Sequence, residues 1–484
     1  MDEELTIDTI KGKVVKGVAV LTGRTFILQA IALISTFLLT IFLNPGQYGT
    51  FFLVSAIINF FVYFSDIGLA AALIQKKEIL TDEELKTTFT VQQILVVSLI
   101  LIILILSPVI KSWYNLSSEV TYLIYALAIS LFLSSLKTIP SVILERKLDF
   151  NKLVIPQIVE TCLFYIVAVY LAWKGFGIQA FTVAVLVRGA AGLILMYFLQ
   201  PWMPGFDLSK GALRRLLKFG LPYQANTFLA VFKDDGIIVF LGSILGPSGV
   251  GYLAWAQKWA SAPLRFFMDQ VIKVTFPAYS RLQNEPEELS KIANRSIFFI
   301  CLLVFPTLLG LILIAPFLTE IIPKYEKWKP ALLALSLISI NTIFAAVTTP
   351  LTNLLNAIGK IKITFRLMIM WTALTWILIP LLSIKFGING AAAGYALVGI
   401  SSLVAIFVAA KFIKVDFWGS TGKPFLAALL MGLTMYLAQM YLPVSVLTLI
   451  FLIILGITVY TVGIIALVGS SIILDFKKIL KNLK

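Results

Sequence analysis

The 484-residue sequence contains no histidine and only two cysteines, Cys162 and Cys301, each inside an apolar run. Without histidine there is no imidazole to ligate zinc or haem, to serve a Ser-His-Asp triad, or to relay protons near neutral pH. Two isolated thiols make neither a metal knuckle nor a disulfide framework, and both read as small core residues. No metal, no cofactor and no catalytic residue is expected. Charge is scarce too: Asp, Glu, Lys and Arg make up 13% of the chain against 60% hydrophobic residues. A soluble domain cannot cover that much apolar side chain with so little polar surface, whereas a bilayer core about 30 Å thick demands long apolar helices. The net charge of +15 would suggest nucleic acid in a soluble protein. Here the basic residues collect in alternate short loops without interleaved aromatics, which argues against a nucleic-acid groove.

Apolar runs at 16–43, 48–73, 88–110, 120–143, 154–173, 176–199, 218–243, 250–275, 296–318, 331–355, 363–384, 387–410, 424–441 and 446–469 predict an all-α polytopic membrane protein with about 14 spans. The first run is too long for a signal-peptide core and lacks a small-residue cleavage site, so it reads as a retained span. With the N-terminus inside, the cytoplasmic connections hold 26 of the 39 Lys and Arg residues. The outer loops hold six: Lys111, Lys174, Lys324, Lys327, Lys329 and Lys385. That asymmetry predicts both ends in the cytoplasm of a plasma or inner membrane.

An internal repeat accompanies the spans. Pro140, Leu144, Lys152, Phe176, Gly177, Ile178 and Gly189 recur 210 residues later as Pro350, Leu354, Lys362, Phe386, Gly387, Ile388 and Gly399. Leu43-Asn44-Pro45-Gly46-Gln47-Tyr48-Gly49 matches Leu245-Gly246-Pro247-Ser248-Gly249-Val250-Gly251 at an offset of 202. The second copy of that motif is glycine-rich but lacks the lysine and hydroxyl of a phosphate loop, and reads as an outer turn. Two pseudo-symmetric six-helix bundles in parallel orientation follow, at 16–199 and 218–410. A cytoplasmic segment 1–15, a linker 200–217, and helices 13–14 with a basic tail in 411–484 complete the organisation. Facing bundles of this kind enclose the substrate site of a transporter that rocks between two openings.

Charges inside spans are costly, about 2.5–3.5 kcal/mol each on insertion scales, and so are seldom idle. Lys137, Glu160 and Lys273 lie near span ends and read as interfacial anchors. The deeper set comprises Arg24, Asp66, Arg188, Lys233, Asp234, Asp235, Lys258, Arg265 and Asp269. Lys258, Arg265 and Asp269 fall within roughly 40° of one another on one helical face. Arg24, Arg188, Lys233, Lys258 and Arg265 are the candidates for binding an anionic head group, since guanidinium grips phosphate oxygens in pairs. Asp66, Asp234, Asp235 and Asp269 are candidates for ion coupling or for internal pairing. Lys324-Tyr325-Glu326-Lys327-Trp328-Lys329 reads as a solvated outer loop with an interfacial tryptophan rather than a glycan contact. The tail Phe476-Lys477-Lys478-Ile479-Leu480-Lys481 suits the anionic inner leaflet.

Three sequence blocks carry a family resemblance. They are Leu43–Gly49 with Phe64–Lys76 and Thr81–Phe89; Ile139–Phe150; and Leu217–Pro222 continuing to Phe276–Gln283. Over residues 15–410 the chain resembles the polysaccharide exporters, or Wzx-type oligosaccharide flippases with a WzxC-like branch closest, of the multidrug/oligosaccharidyl-lipid/polysaccharide superfamily. The resemblance implies movement of a polyprenyl-(pyro)phosphate-linked oligosaccharide to the outer leaflet, through two six-helix bundles with a cationic lumen. It also implies membrane lipids and polysaccharide polymerase or export components as partners. A cation- or proton-coupled drug antiporter of the same superfamily is the alternative, with Asp66, Asp234 and Asp235 available for exchange. A membrane glycosyltransferase would need a large extramembrane domain, and the longest connection here is only about twenty residues.

Overall fold

The computed structural model describes residues 7–469; the side chains at 7–19, 21, 223, 225–227, 270 and 274 are also outside the description. The basic tail from Phe476 to Lys481, and the side chains of Lys11, Lys13 and Lys16, therefore lie outside the described residues. What is described is helical throughout, with no strand. The α-helices run α1 Ile7–Phe42, α2 Pro45–Val62, α3 Leu69–Gln75, α4 Asp82–Trp113, α5 Glu119–Leu136, α6 Thr138–Arg146, α7 Phe150–Trp173 and α8 Gln179–Leu199. They continue as α9 Lys210–Arg281, α10 Pro286–Ile321, α11 Leu332–Ala357, α12 Ile361–Ser401, α13 Leu403–Ala409, α14 Lys423–Tyr441 and α15 Val446–Val468. Among the described residues, twelve helical segments are long and apolar enough to cross a membrane. Two of them are unusually long, Phe228–Arg281 and Ile361–Ala409, and each is broken at a glycine with positive φ, Gly246 (65°) and Gly387 (60°). Only glycine adopts that backbone freely, so the chain changes direction there. Gly177, the repeat counterpart of Gly387, has φ 58°.

The chain divides into two compact units, 1–251 and 252–484. In the first, α7 packs on α8 and α1, α5 on α8 and α4, and α2 on α5 and α4. Sharp local signals start these helices. Asn44 and Gln47 form a capping box at α2: Gln47 N donates to Asn44 Oδ1 at 2.8 Å and Asn44 N to Gln47 Oε1 at 3.1 Å, with Pro45 in the first turn. Thr81 and Glu84 repeat the device at α4, and the buried Glu84 carboxylate also takes Lys76 Nζ at 2.7 Å.

The two copies of the Pro-Gly motif meet within this unit. A Cβ placed on Gly49 would stand 1.8 Å from the Pro247 carbonyl oxygen, and one on Gly251 would stand 1.9 Å from that of Pro45. The contact is reciprocal: each glycine lies against the proline of the other copy. At the opposite end of α2, Tyr63 Oη donates to the Gln224 carbonyl and Gln224 Nε2 donates to the Tyr63 carbonyl. Between these ends Leu53, Ile57 and Val250 form a shared apolar cluster with Ile238 and Val239 packed against it.

In the second unit α10 is the hub, packing on α11 and α14. Ile297, Ile300, Cys301, Val304, Phe305 and Leu308 on α10 interlock with Ala346, Val347, Leu351 and Leu354 on α11. Phe317 joins Met431, Met435 and Leu452 to seat α14 and α15. The 324–329 segment departs from expectation. Trp328 is fully buried, stacked on Trp255 with ring centroids 5.6 Å apart, and Trp255 Nε1 donates to Tyr325 Oη at 3.0 Å. An aromatic this large finds more contact area inside a helical unit than at an interface.

Candidate functional site

A charge on an apolar helix has to be paired or turned toward water. In the first unit, groups from several helices satisfy that requirement together. Glu160 lies midway along α7 with its side chain only 11% exposed, and its Oε1 accepts from Lys137 Nζ at the α5–α6 junction. Its other oxygen is 3.8 Å from Nε of Arg188, midway along α8. Room for the carboxylate comes from Gly192, one turn beyond Arg188. A Cβ there would sit 1.8 Å from Glu160 Oε1.

Arg24 on α1 shares a cavity of about 340 Å³ with Arg188. Thr25, Leu28, Gln29 and Ala32 line it from α1, and Thr161, Phe164 and Tyr165 from α7. The Nε of Arg24 is buried with no hydrogen-bond partner among the described residues. Arg188 is about half exposed, and its guanidinium carbon lies 5.9 Å from the Phe164 ring centroid. Behind Phe164, Phe51 of α2 stacks on Phe181 of α8 at 3.9 Å, which stiffens that wall. Lys137 and Arg188 face the Glu160 carboxylate, and with Arg24 on the cavity lining the three cations exceed the one anion by two charges. Two guanidinium forks opening on a cavity in apolar surroundings can hold phosphate oxygens, with an aromatic wall beside them for a sugar or prenyl group.

The other residues read from sequence are distributed differently. In the first unit, Lys233 Nζ lies 3.2 Å from Asp234 Oδ1, and Asp235 hydrogen-bonds the Asn59 side chain of α2. Asp66 falls in the turn after α2, where both carboxylate oxygens accept from Ala70 N, in the first turn of α3, at 3.2 and 3.3 Å. Lys258, Arg265 and Asp269 lie in the second unit on the 252–281 part of α9. Lys258 and Arg265, on one face there, are close enough to repel electrostatically. The structure thus brings together Arg24 and Arg188, and adds two residues that the sequence reading treats as interfacial anchors. Lys137 and Glu160 are an internal ion pair instead, because they lie on neighbouring helices at one depth. The signal that could have found them is Gly192, four residues after Arg188 on the same helical face, leaving space for a side chain from the next helix.

These features define a multi-pass helical membrane protein, and its fold is known from solved transporters. The structure matches the "Lipid II flippase MurJ, inward closed conformation" with a TM-score of 0.75 over 94% of this chain and 99% of that one, at 16% identity. It also matches an inward-facing multidrug resistance MATE family transporter of the MOP superfamily, with a TM-score of 0.58 over 81% of this chain and 94% of that one. The chain belongs to the polysaccharide biosynthesis protein family, whose sequence profile matches residues 38–333. Its relatives include the lipopolysaccharide biosynthesis protein WzxC of Escherichia coli K12, 23% identical over 83% of this chain and 82% of that protein. The succinoglycan biosynthesis transport protein ExoT of Rhizobium meliloti is likewise 23% identical, over 87% of this chain and 86% of its own length.

Proposed function

We propose that this protein moves a polyprenyl-(pyro)phosphate-linked oligosaccharide from the cytoplasmic to the outer leaflet for cell-surface polysaccharide synthesis, acting as a transporter and not an enzyme. The single observation that carries the reading is the cavity lined by both Arg24, whose buried Nε has no partner among the described residues, and the half-exposed Arg188. A carrier phosphate offers the anionic oxygens that Arg24 Nε lacks and that Arg188 has only at a distance. Family membership and relatives named for lipopolysaccharide biosynthesis and succinoglycan transport support the same cargo class. Lys233, Lys258 and Arg265 are further candidates for the anionic head group, and Asp66, Asp234, Asp235 and Asp269 for ion coupling or internal pairing. Counted as two spans each, the two glycine-broken helices would bring the twelve candidates to fourteen crossings, and the loop charges favour both termini inside. In this arrangement six-helix bundles at 16–199 and 218–410 alternate in access, and helices 13–14 follow them.

Deleting the gene and locating the lipid-linked oligosaccharide tests this. The expected result is accumulation on the cytoplasmic face with loss of surface polymer, restored by the wild-type gene but not by Arg24→Ala or Arg188→Ala. Normal surface polymer in the deletion strain would sink the reading. The MATE likeness and the Asp234–Asp235 doublet favour the second reading, a cation-coupled antiporter of small molecules. Its mark would be Na⁺- or H⁺-driven efflux of a cationic dye with surface glycan intact.

A further inference from the structure

One of the two arginines that line the cavity already has an anion beside it, the buried Glu160 carboxylate. We propose that Glu160 is the resident counter-anion of Arg188, a positioning residue that commits Lys137, restrains Arg188, and yields Arg188 to the substrate's phosphate. The inference rests on Arg24 and Arg188 being the head-group ligands.

The geometry grades the three cations. Lys137 is committed: it contacts Glu160 directly, and the two side chains are 13% and 11% exposed. Arg188 is shared: its Nε stands 3.8 Å from the carboxylate, beyond a good hydrogen bond, and half of the side chain remains open. Arg24 is open, with a buried Nε that has no partner among the described residues. An incoming phosphate therefore meets Arg24 at once but competes with Glu160 for Arg188. The carboxylate is a fixed competitor, because it is buried and fills the space that Gly192 leaves. Such competition suits transport, in which a site must bind its cargo well enough to load and weakly enough to release it. Without Glu160 both Arg24 and Arg188 would be free to grip the phosphate, and the loaded state would be held too long.

The test uses the full-length protein in lipid nanodiscs, with farnesyl pyrophosphate as the binding probe, and a vesicle assay for flipping of a fluorescent prenyl pyrophosphate. Glu160→Gln is expected to bind the probe about tenfold more tightly, equivalent to about 1.4 kcal/mol, while its flipping rate falls. Glu160→Asp should keep both properties near wild type. Gly192→Ala displaces the carboxylate without altering any charge, so it should shift affinity in the same direction as Glu160→Gln. Lys137→Gln should weaken binding, because Glu160 is then left to Arg188 alone. The gain from Glu160→Gln should vanish in an Arg188→Ala background, as coupling through Arg188 requires. Unchanged or weaker probe binding by Glu160→Gln would overturn the assignment; if that variant does not fold, the opposite signs expected of Gly192→Ala and Lys137→Gln decide it. A wild-type protein that binds no farnesyl pyrophosphate would overturn the head-group reading itself, and the role of Glu160 with it.

Discussion

Arg24 holds a buried donor with no partner among the described residues, a situation that costs a folded protein about 1–3 kcal/mol. Removing the side chain should therefore affect stability and transport in opposite directions. Arg24→Ala is expected to lower flipping by at least about tenfold, while the purified variant melts no lower than wild type. Vesicle flipping and thermal unfolding in detergent check the two halves. Arg188→Ala should lose transport without that neutrality, because it strips a neighbour from the buried Glu160 carboxylate. Arg24 and Arg188 were legible in the sequence as intramembrane cations with no acid nearby in the chain. Glu160 and Lys137 were not: their partnership joins different helices, and no periodicity along one helix reports a contact between two.

The long apolar helices were readable because twenty or so nonpolar residues leave a bilayer helix little alternative. The breaks inside them were harder to see. Residues 48–73 read as one span, yet the helix ends at Val62 and α3 starts at Leu69, with Ile67 (φ 47°) and Gly68 (φ 79°) turning the chain between them. Likewise 120–143 divides into α5 and α6 at Lys137. Hydropathy is blind to a local dihedral, so an apolar turn passes for helix. Caps were legible in principle, and they make separable predictions. Thr81→Ala should cost about 1 kcal/mol through the lost cap. Glu84→Ala should cost more, about 3 kcal/mol, because it also leaves the paired Lys76 without its carboxylate. Denaturation midpoints of the two variants, compared in one detergent, would reverse in order if the ion pair contributes nothing.

At the scale of the molecule, the loop charges predict an orientation that cysteine labelling can measure. With Cys162 and Cys301 replaced by alanine, Lys174→Cys should react with an impermeant maleimide added outside intact cells. Lys147→Cys, also exposed in the structure, should react only after permeabilisation. The reverse pattern would invert the topology. The packing of the Pro-Gly motifs makes a further prediction. Gly49→Ala drives a methyl group into the Pro247 carbonyl and should cost at least about 2 kcal/mol. Gly46→Ala should be far milder, because its nearest neighbour is the rotatable Ser248 hydroxyl at 3.1 Å. A motif that packs against its own copy is what a two-fold axis produces in a homodimer, and the reciprocal Pro45–Gly251 and Gly49–Pro247 contacts have that form. Gly46 and Ser248 occupy equivalent positions in the two copies and face one another close to where such an axis would pass. In a homodimer they would have to be the same residue, two serines competing for one small space or two glycines leaving it empty. Gene fusion removes that constraint: once both halves are written in one chain, the partners at the axis are free to diverge, one shrinking as the other grows.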